Sequence, residues 1–181
     1  MVTLRSLSAA LMLWLFSSAA LAASDAQPNV NFSGDLVADP CTLAPDESNP
    51  GILVEFGTVI IKSLYSEKRS LPEVFSIHLI DCDTSLGNTV HVLFTGTEDT
   101  EQPGLLAIEP GSAAKGIAIG LQTLKAEPIA INSQSPASVI VEGDTTLQFA
   151  AFVQASDNAI AHQLIEPGTF SAVATFEFVY D

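Results

Sequence analysis

Residues 168–181 read GTFSAVATFEFVYD, and this stretch decides the fold. Its even-numbered positions are all apolar after the leading glycine: Phe170, Ala172, Ala174, Phe176, Phe178 and Tyr180. Strict alternation of this kind is typical of a β-strand that packs one face against a core. Because the sequence stops at Asp181, we expect the neighbouring strand that covers this edge to come from elsewhere.

A second segment with one apolar face lies near the other end of the chain. Its apolar or small positions are Val30, Phe32, Gly34 and Leu36, and they alternate with Asn31, Ser33 and Asp35. This pattern also predicts a strand. A domain that lacks one strand and carries a detachable one is suited to polymerisation by strand addition.

The first 22 residues have the three regions of a secretory signal peptide. Arg5 precedes an apolar run from Leu7 to Leu21, and small residues around Ala22 mark the expected cleavage site. The sequence therefore predicts an exported protein with a signal peptide at 1–22, an N-terminal extension at 23–40 and one domain at 41–181.

The chain is strongly acidic, with 21 Asp and Glu residues against 6 Lys and Arg residues. A surface of this charge is a poor partner for nucleic acid and for anionic membranes. We expect the acidic residues to form a solvated exterior that keeps an exported protein soluble.

The two cysteines are Cys41 and Cys82. In an oxidising compartment an even number of cysteines favours a disulfide. A bond between these two cysteines would stabilise the fold by about 3–4 kcal/mol in the chain-entropy model. A zinc site that also uses His78 and His91 is the competing interpretation. It is disfavoured because His78 and Cys82 fall in one strand pattern, about 13 Å apart at about 3.3 Å per residue.

Short β-rich runs separated by Gly, Pro and Asn predict a nearly all-β antiparallel sandwich of immunoglobulin-like layout. The predicted strands are Ile52–Phe56, Val59–Leu64, Val74–Ile80, Val90–Phe94, Leu105–Ile108, Ile117–Leu121, Ser138–Val141, Leu147–Gln154 and Phe170–Tyr180. No apolar stripe at helical spacing persists for three turns.

Motifs for catalysis, phosphate binding and calcium binding are all incomplete. Gly111 and Gly116 have the spacing of a phosphate loop, but Ile117 follows where a lysine is needed. His78, His91 and His162 have no nucleophile or carboxylate in a recognisable motif. We therefore predict no catalytic residue, no cofactor and no metal.

The sequence resembles the pilus subunits that the bacterial chaperone-usher pathway assembles. The resemblance rests on VNFSGDLVADPC at 30–41, VEFGTV at 54–59, FSIHLIDC at 75–82, GIAIGL at 116–121, LQFAAFVQA at 147–155 and FSAVATFEFVY at 170–180. Gly168, the fourteenth residue from the end, and the penultimate Tyr180 also match the family pattern. Together these segments span the chain after the leader.

This resemblance implies an incomplete immunoglobulin-like sandwich that lacks its last strand. Residues 168–180 would line an acceptor groove, and Val30, Phe32, Gly34 and Leu36 would form the strand donated to the next subunit. The implied partners are other pilus subunits, a periplasmic chaperone and an outer-membrane usher. The implied destination, reached through the periplasm, is a surface fimbrium that supports cell adhesion.

Two alternatives remain open from the sequence. A tip adhesin of the same family is disfavoured, because residues 23–40 leave no room for a lectin domain ahead of Cys41. A self-contained secreted β-sandwich that binds a glycan or small ligand is the alternative from a different class.

Overall fold

A computed structural model describes residues 30–34, 36, 38–45 and 51–181. The chain divides into two compact units, Met1–Leu36 and Val37–Asp181. The predicted signal peptide lies outside the described residues. Among the described residues no helix has the length and apolar character needed to cross a membrane.

The second unit is an antiparallel β-sandwich with two short helices. Its elements in chain order are β1 Thr42–Leu43, α1 Ile61–Glu67, β2 Glu73–Cys82, β3 Thr89–Thr95, β4 Leu106–Ala107, β5 Ile117–Thr123, β6 Pro128–Ile129, β7 Ser133–Gln134, β8 Ser138–Val139, β9 Gly143–Ala155, α2 Asp157–His162 and β10 Thr175–Tyr180. One sheet has the order β1-β2-β9-β5-β4, with β6 beside β5. The other has the order β10-β3-β7, with β8 also paired to β3.

Three phenylalanine rings join the two sheets in the core. Phe94 of β3 meets Phe149 of β9 edge-on, with ring centroids 5.3 Å apart, and Phe75 of β2 lies 5.9 Å from Phe149. The remaining contact, between Phe75 and Phe94, is 6.2 Å. The two edge-to-face contacts of Phe94 add to the stabilisation from apolar burial. The all-β sandwich predicted from the sequence is confirmed.

The predicted strand at Val59–Leu64 is wrong, because α1 begins at Ile61. Ile61, Leu64 and Tyr65 put an i, i+3, i+4 stripe on one face of this short helix, and Leu64 is only 2% exposed. The Tyr65 hydroxyl also accepts the Ile165 N–H at 3.4 Å. Tertiary packing therefore outweighs the β propensity of the two adjacent isoleucines.

Four other predicted strands are shorter than expected or absent. The predicted strands Leu105–Ile108 and Ser138–Val141 shorten to two residues each, β4 and β8. Residues 52–56 belong to no ladder in the described structure. The C-terminal strand is paired only over Thr175–Tyr180, whereas its predicted first half runs beside a loop.

Candidate functional site

The C-terminal segment presents a face that is only half covered. From Phe170 to Phe178 the even-numbered side chains are half-buried against the core, while the odd-numbered ones are exposed up to Glu177. The apolar residues that share this face are Phe170, Ala172, Ala174, Phe176, Phe178 and Tyr180. Partial exposure of a continuous apolar row leaves surface that a further strand could bury.

The main chain of this segment is paired along one edge. The Ser171 carbonyl accepts the Glu109 N–H at 2.7 Å, and the Thr169 carbonyl accepts the Ala113 N–H at 2.8 Å. Further along, the Asp181 N–H donates to the Thr89 carbonyl at 3.2 Å. Because successive amides of an extended chain point to opposite edges, the even-numbered amides face the other edge. No strand of the described chain pairs with β10 there.

A separate apolar segment faces this open edge and forms a wall opposite the C-terminal segment. Val54, Phe56 and Val59 are half-buried against the same core, and the Phe56 and Phe170 ring centroids lie 6.0 Å apart. Towards the other end lies a cavity of about 720 Å³, lined by Asp39, Cys41, Thr42, Leu43, Glu177, Phe178 and Tyr180. We call the strip between residues 168–180 and these two segments the groove.

The floor of the groove changes in size along its length. Phe176, Phe178 and Tyr180 form a row of rings with centroid separations of 5.5 and 6.2 Å. Between Phe176 and the Phe56–Phe170 contact, the floor consists only of two alanines. The inward side chains of this segment are therefore aromatic at Phe170 and from Phe176 onward, and small between them.

Gly168 is a point of close approach at the start of this segment. A Cβ atom built there would lie 2.6 Å from the Ala113 Cβ and 2.7 Å from both the Ala113 carbonyl carbon and the Ala114 nitrogen. Two of these three atoms belong to the main chain, which cannot move aside without disturbing the loop.

We therefore expect Gly168→Ala to lower the free energy of unfolding by about 1–3 kcal/mol, since overpacking against a backbone costs about that much. Urea denaturation checks this value. Gly111→Ala is the matched control, because nothing lies within 4 Å of a Cβ at that glycine. Equal midpoints for the two variants would contradict the close-approach argument.

The end of the groove at residues 180 and 181 carries polar groups. The Tyr180 hydroxyl is buried and has no hydrogen-bond partner among the described residues. Burial raises the pKa of this phenol, and the Asp39 carboxylate raises it further. Asp181 follows, with its carboxylate 3.0 Å from the His91 Nε2.

Cys41 and Cys82 form a disulfide, as predicted. Both are nearly buried, at 8% and 3% exposure, and the bond ties the segment ahead of β1 to the end of β2. The bond therefore holds Asp39 and Thr42 in the wall that flanks the distal cavity.

The three large apolar residues described between 30 and 36 are exposed. Val30, Phe32 and Leu36 are 75%, 93% and 102% exposed, and nothing lies within 4 Å of a Cβ built at Gly34. These large apolar side chains are therefore available for burial elsewhere.

The histidines have structural partners rather than a shared site. His78 Nδ1 lies 3.1 Å from the Thr146 hydroxyl, and His162 Nδ1 lies 3.1 Å from the Asn158 carbonyl. In the described part of the chain no three His, Cys, Asp or Glu residues cluster as metal ligands would.

Comparison with known proteins agrees with this geometry. The model of the family described as fimbrial protein matches residues 30–181. The chain belongs to the fimbrial protein family. This assignment confirms the resemblance recognised from the sequence.

Relatives within the fimbrial family match most of the chain. The Fimbria A protein of Serratia marcescens is 34% identical over 164 residues, covering 91% of this chain and 90% of its own length. The fimbrial adapter PapK of Escherichia coli is 32% identical, covering 90% and 93% respectively. A crystal structure of the P pilus rod subunit PapA matches this chain with a TM-score of 0.64 and 25% sequence identity. The match covers 79% of this chain and all of that one.

Sequence reasoning missed the wall of the groove formed by Val54, Phe56 and Val59. The apolar alternation at Val54 and Phe56 was a usable signal for an inward face. Nothing in the local sequence indicates that this face meets Phe170, because more than 100 residues separate the two segments.

Proposed function

We propose that this protein is a non-enzymatic structural or adaptor subunit of a surface fimbria, and that it polymerises by donor-strand complementation. The observation that carries this proposal is the half-buried apolar face at residues 170–180, whose even-numbered amides face an unpaired edge. An added strand would supply both the missing hydrogen bonds and the missing apolar cover.

Residues 23–40 are the donated extension in this proposal, and residues 41–181 form the domain that accepts one. Burying Val30, Phe32 and Leu36 in a neighbouring groove contributes about 1.5–3 kcal/mol for each side chain. Main-chain hydrogen bonds along the shared edge add to this and set the orientation of the strand.

Before assembly, the open groove requires another cover. We assign this role to a periplasmic chaperone that lends a strand, with an outer-membrane usher as the site of exchange and the cell-surface fimbrium as the destination. The acidic Asp181 at the end of β10 offers a carboxylate to basic residues of such a chaperone. The assembled fimbria then supports cell adhesion.

Ala174→Asp tests the acceptor side of the proposal. Ala174 is half-buried on the apolar face, so a carboxylate there would have to be desolvated when a strand is added. We expect the variant to be lost from fimbriae sheared off the cell surface, and its yield with the chaperone to fall. Val173→Asp is the matched control, since Val173 is 69% exposed on the opposite face.

The control should assemble at the wild-type level. Normal incorporation of Ala174→Asp would show that the groove does not receive a strand. Equal loss of both variants would point to a general effect of added charge instead.

A further inference from the structure

Resting on the proposed function, we infer that the sheet containing β5 and β9 carries a binding site for a short neutral saccharide on its outer face. The site is a cavity of about 670 Å³, and the buried side chains of Gln122 and Phe152 are among those that line it. Each copy of the chain in a fimbria then carries one such site.

This cavity is distinct from the proposed acceptor groove. It meets the wall segment at Phe56 and Val59, but no residue of the C-terminal segment 168–180 lines it. Its volume lies within the range of about 300–1,000 Å³ that is usual for small-ligand sites. Binding to this cavity and addition of a strand to the groove can therefore be tested separately.

The floor of the cavity lies on the face of β5 and β9 that points away from the core. Gly120 pairs with Phe152, and Gln122 pairs with Ala150 in the same ladder. Because side chains alternate along a strand, these four residues share one face of the sheet. None of them belongs to the apolar cluster between the two sheets.

Phe152 and Arg69 form a fixed edge of the cavity. A Cβ atom built at Gly120 would lie 2.5 Å from the Phe152 Cε2, so the ring fills the space above that glycine. The Arg69 Cζ lies 5.2 Å from the ring centroid, which is within cation–π distance. The ion pairs among the described residues do not include Arg69. Its N–H groups are therefore available to a ligand.

Gln122 supplies an amide without a partner. The residue is only 7% exposed and lines the cavity. No described residue makes a hydrogen bond with its side chain, and its amide atoms, unlike the Tyr180 hydroxyl, are not fully enclosed. Buried amides in native proteins are normally paired. A ligand in the cavity that both donates and accepts hydrogen bonds would pair this one.

The polar groups around the cavity favour a hydroxyl-rich ligand without charge. Glu67 and Glu73 line it and only accept hydrogen bonds. The Arg69 guanidinium only donates, and the Gln122 amide does both. Sugar hydroxyls match this mixture, because each of them donates and accepts. Two carboxylates against one guanidinium, in a chain with 21 acidic and 6 basic residues, disfavour anionic sugars.

Apolar side chains at the rim match the carbon-bound hydrogens of a sugar ring. Leu71 and Ile60 line the cavity and are 84% and 61% exposed, and Pro72 also lines it. Side chains with this exposure have surface that a ligand can bury. A largely apolar lining with a few polar groups that fix orientation is typical of small-ligand sites.

Labelled fimbriae, sheared from the native host, test the site on an array of immobilised neutral, sialylated and sulfated oligosaccharides. Gln122→Leu removes the amide at nearly constant volume, which a buried site tolerates best. Gln148→Leu is the matched control, because Gln148 is exposed on the same face of β9 and does not line the cavity. Each variant replaces the chromosomal copy.

We expect wild-type and Gln148→Leu fimbriae to bind neutral oligosaccharides, and Gln122→Leu fimbriae to bind them about ten-fold less, with equal subunit content. Equal binding by Gln122→Leu, no binding by the wild type, or binding only to charged saccharides would overturn the inference and leave the proposed function intact. Wild-type chain absent from fimbriae would refute the proposed function itself.

The amount of Gln122→Leu subunit in fimbriae gives a further readout. Its loss from fimbriae at a normal periplasmic yield would overturn the inference, because the cavity would then contact a neighbouring subunit. If Gln122→Leu instead fails to fold, Arg69→Gln provides the same test at an exposed position, with Lys62→Gln as its control outside the cavity. We expect a similar loss of binding for Arg69→Gln, and unchanged binding would overturn the site.

Discussion

Phe32→Asp is expected to eliminate this chain from assembled fimbriae while leaving the subunit folded. In the proposed junction the Phe32 side chain is buried in the groove of the next subunit, so the change removes about 1.5–3 kcal/mol of apolar burial. It also places an unpaired carboxylate against the apolar face of residues 170–180, which costs several kcal/mol more. Together these losses exceed a hundred-fold change in the stability of the junction.

The measurement has two parts, namely the amount of subunit in sheared fimbriae and the yield of folded subunit in the periplasm. Phe32 is 93% exposed in the isolated chain, so the folded yield should not change. Asn31→Asp is the matched control, because it adds the same charge on the opposite face of the same strand. Normal incorporation of Phe32→Asp, or loss of the folded subunit, would contradict the donor assignment.

The second large effect concerns the disulfide. We expect replacement of both Cys41 and Cys82 by alanine to lower the free energy of unfolding by about 3–4 kcal/mol, because the bond closes a loop with a sequence separation of 41. This is a large fraction of the 5–15 kcal/mol, approximately, that stabilises an ordinary domain. The wall that holds Asp39 and Thr42 should loosen first.

Urea unfolding followed by circular dichroism measures this change. Tryptophan fluorescence is unsuitable, since Trp14 is the only tryptophan and lies in the predicted leader. Wild-type protein treated with a reductant should unfold at the same urea concentration as the double variant. An unchanged midpoint in both would show that the loop is held by other contacts.

Alternation of apolar residues predicted the central strands well, because their inward positions recur every second residue. β2, β3, β5 and β9 lie close to their predicted positions. Prediction failed at α1, where Ile60 and Ile61 favour a strand by local propensity. The helix forms there because Leu64 is buried against the sandwich, and this contact depends on residues distant in sequence.

The candidate site was predictable on one side only. The apolar face of the C-terminal strand and the alternating apolar residues between 30 and 36 both follow from patterns of period two. The opposite wall was not predictable, because the contact between Phe56 and Phe170 joins segments more than 100 residues apart. Local patterns contain no information about which distant segments meet.

The sequence by itself predicted an exported chain, and it determined the all-β class, the disulfide and the amphipathic C-terminal strand, because period, charge and cysteine number are local or compositional properties. Only the tertiary structure decided that the C-terminal strand has one unpaired edge and that Phe56 closes the groove above Phe170. Pairing and steric fit depend on the three-dimensional placement of segments that are far apart along the chain.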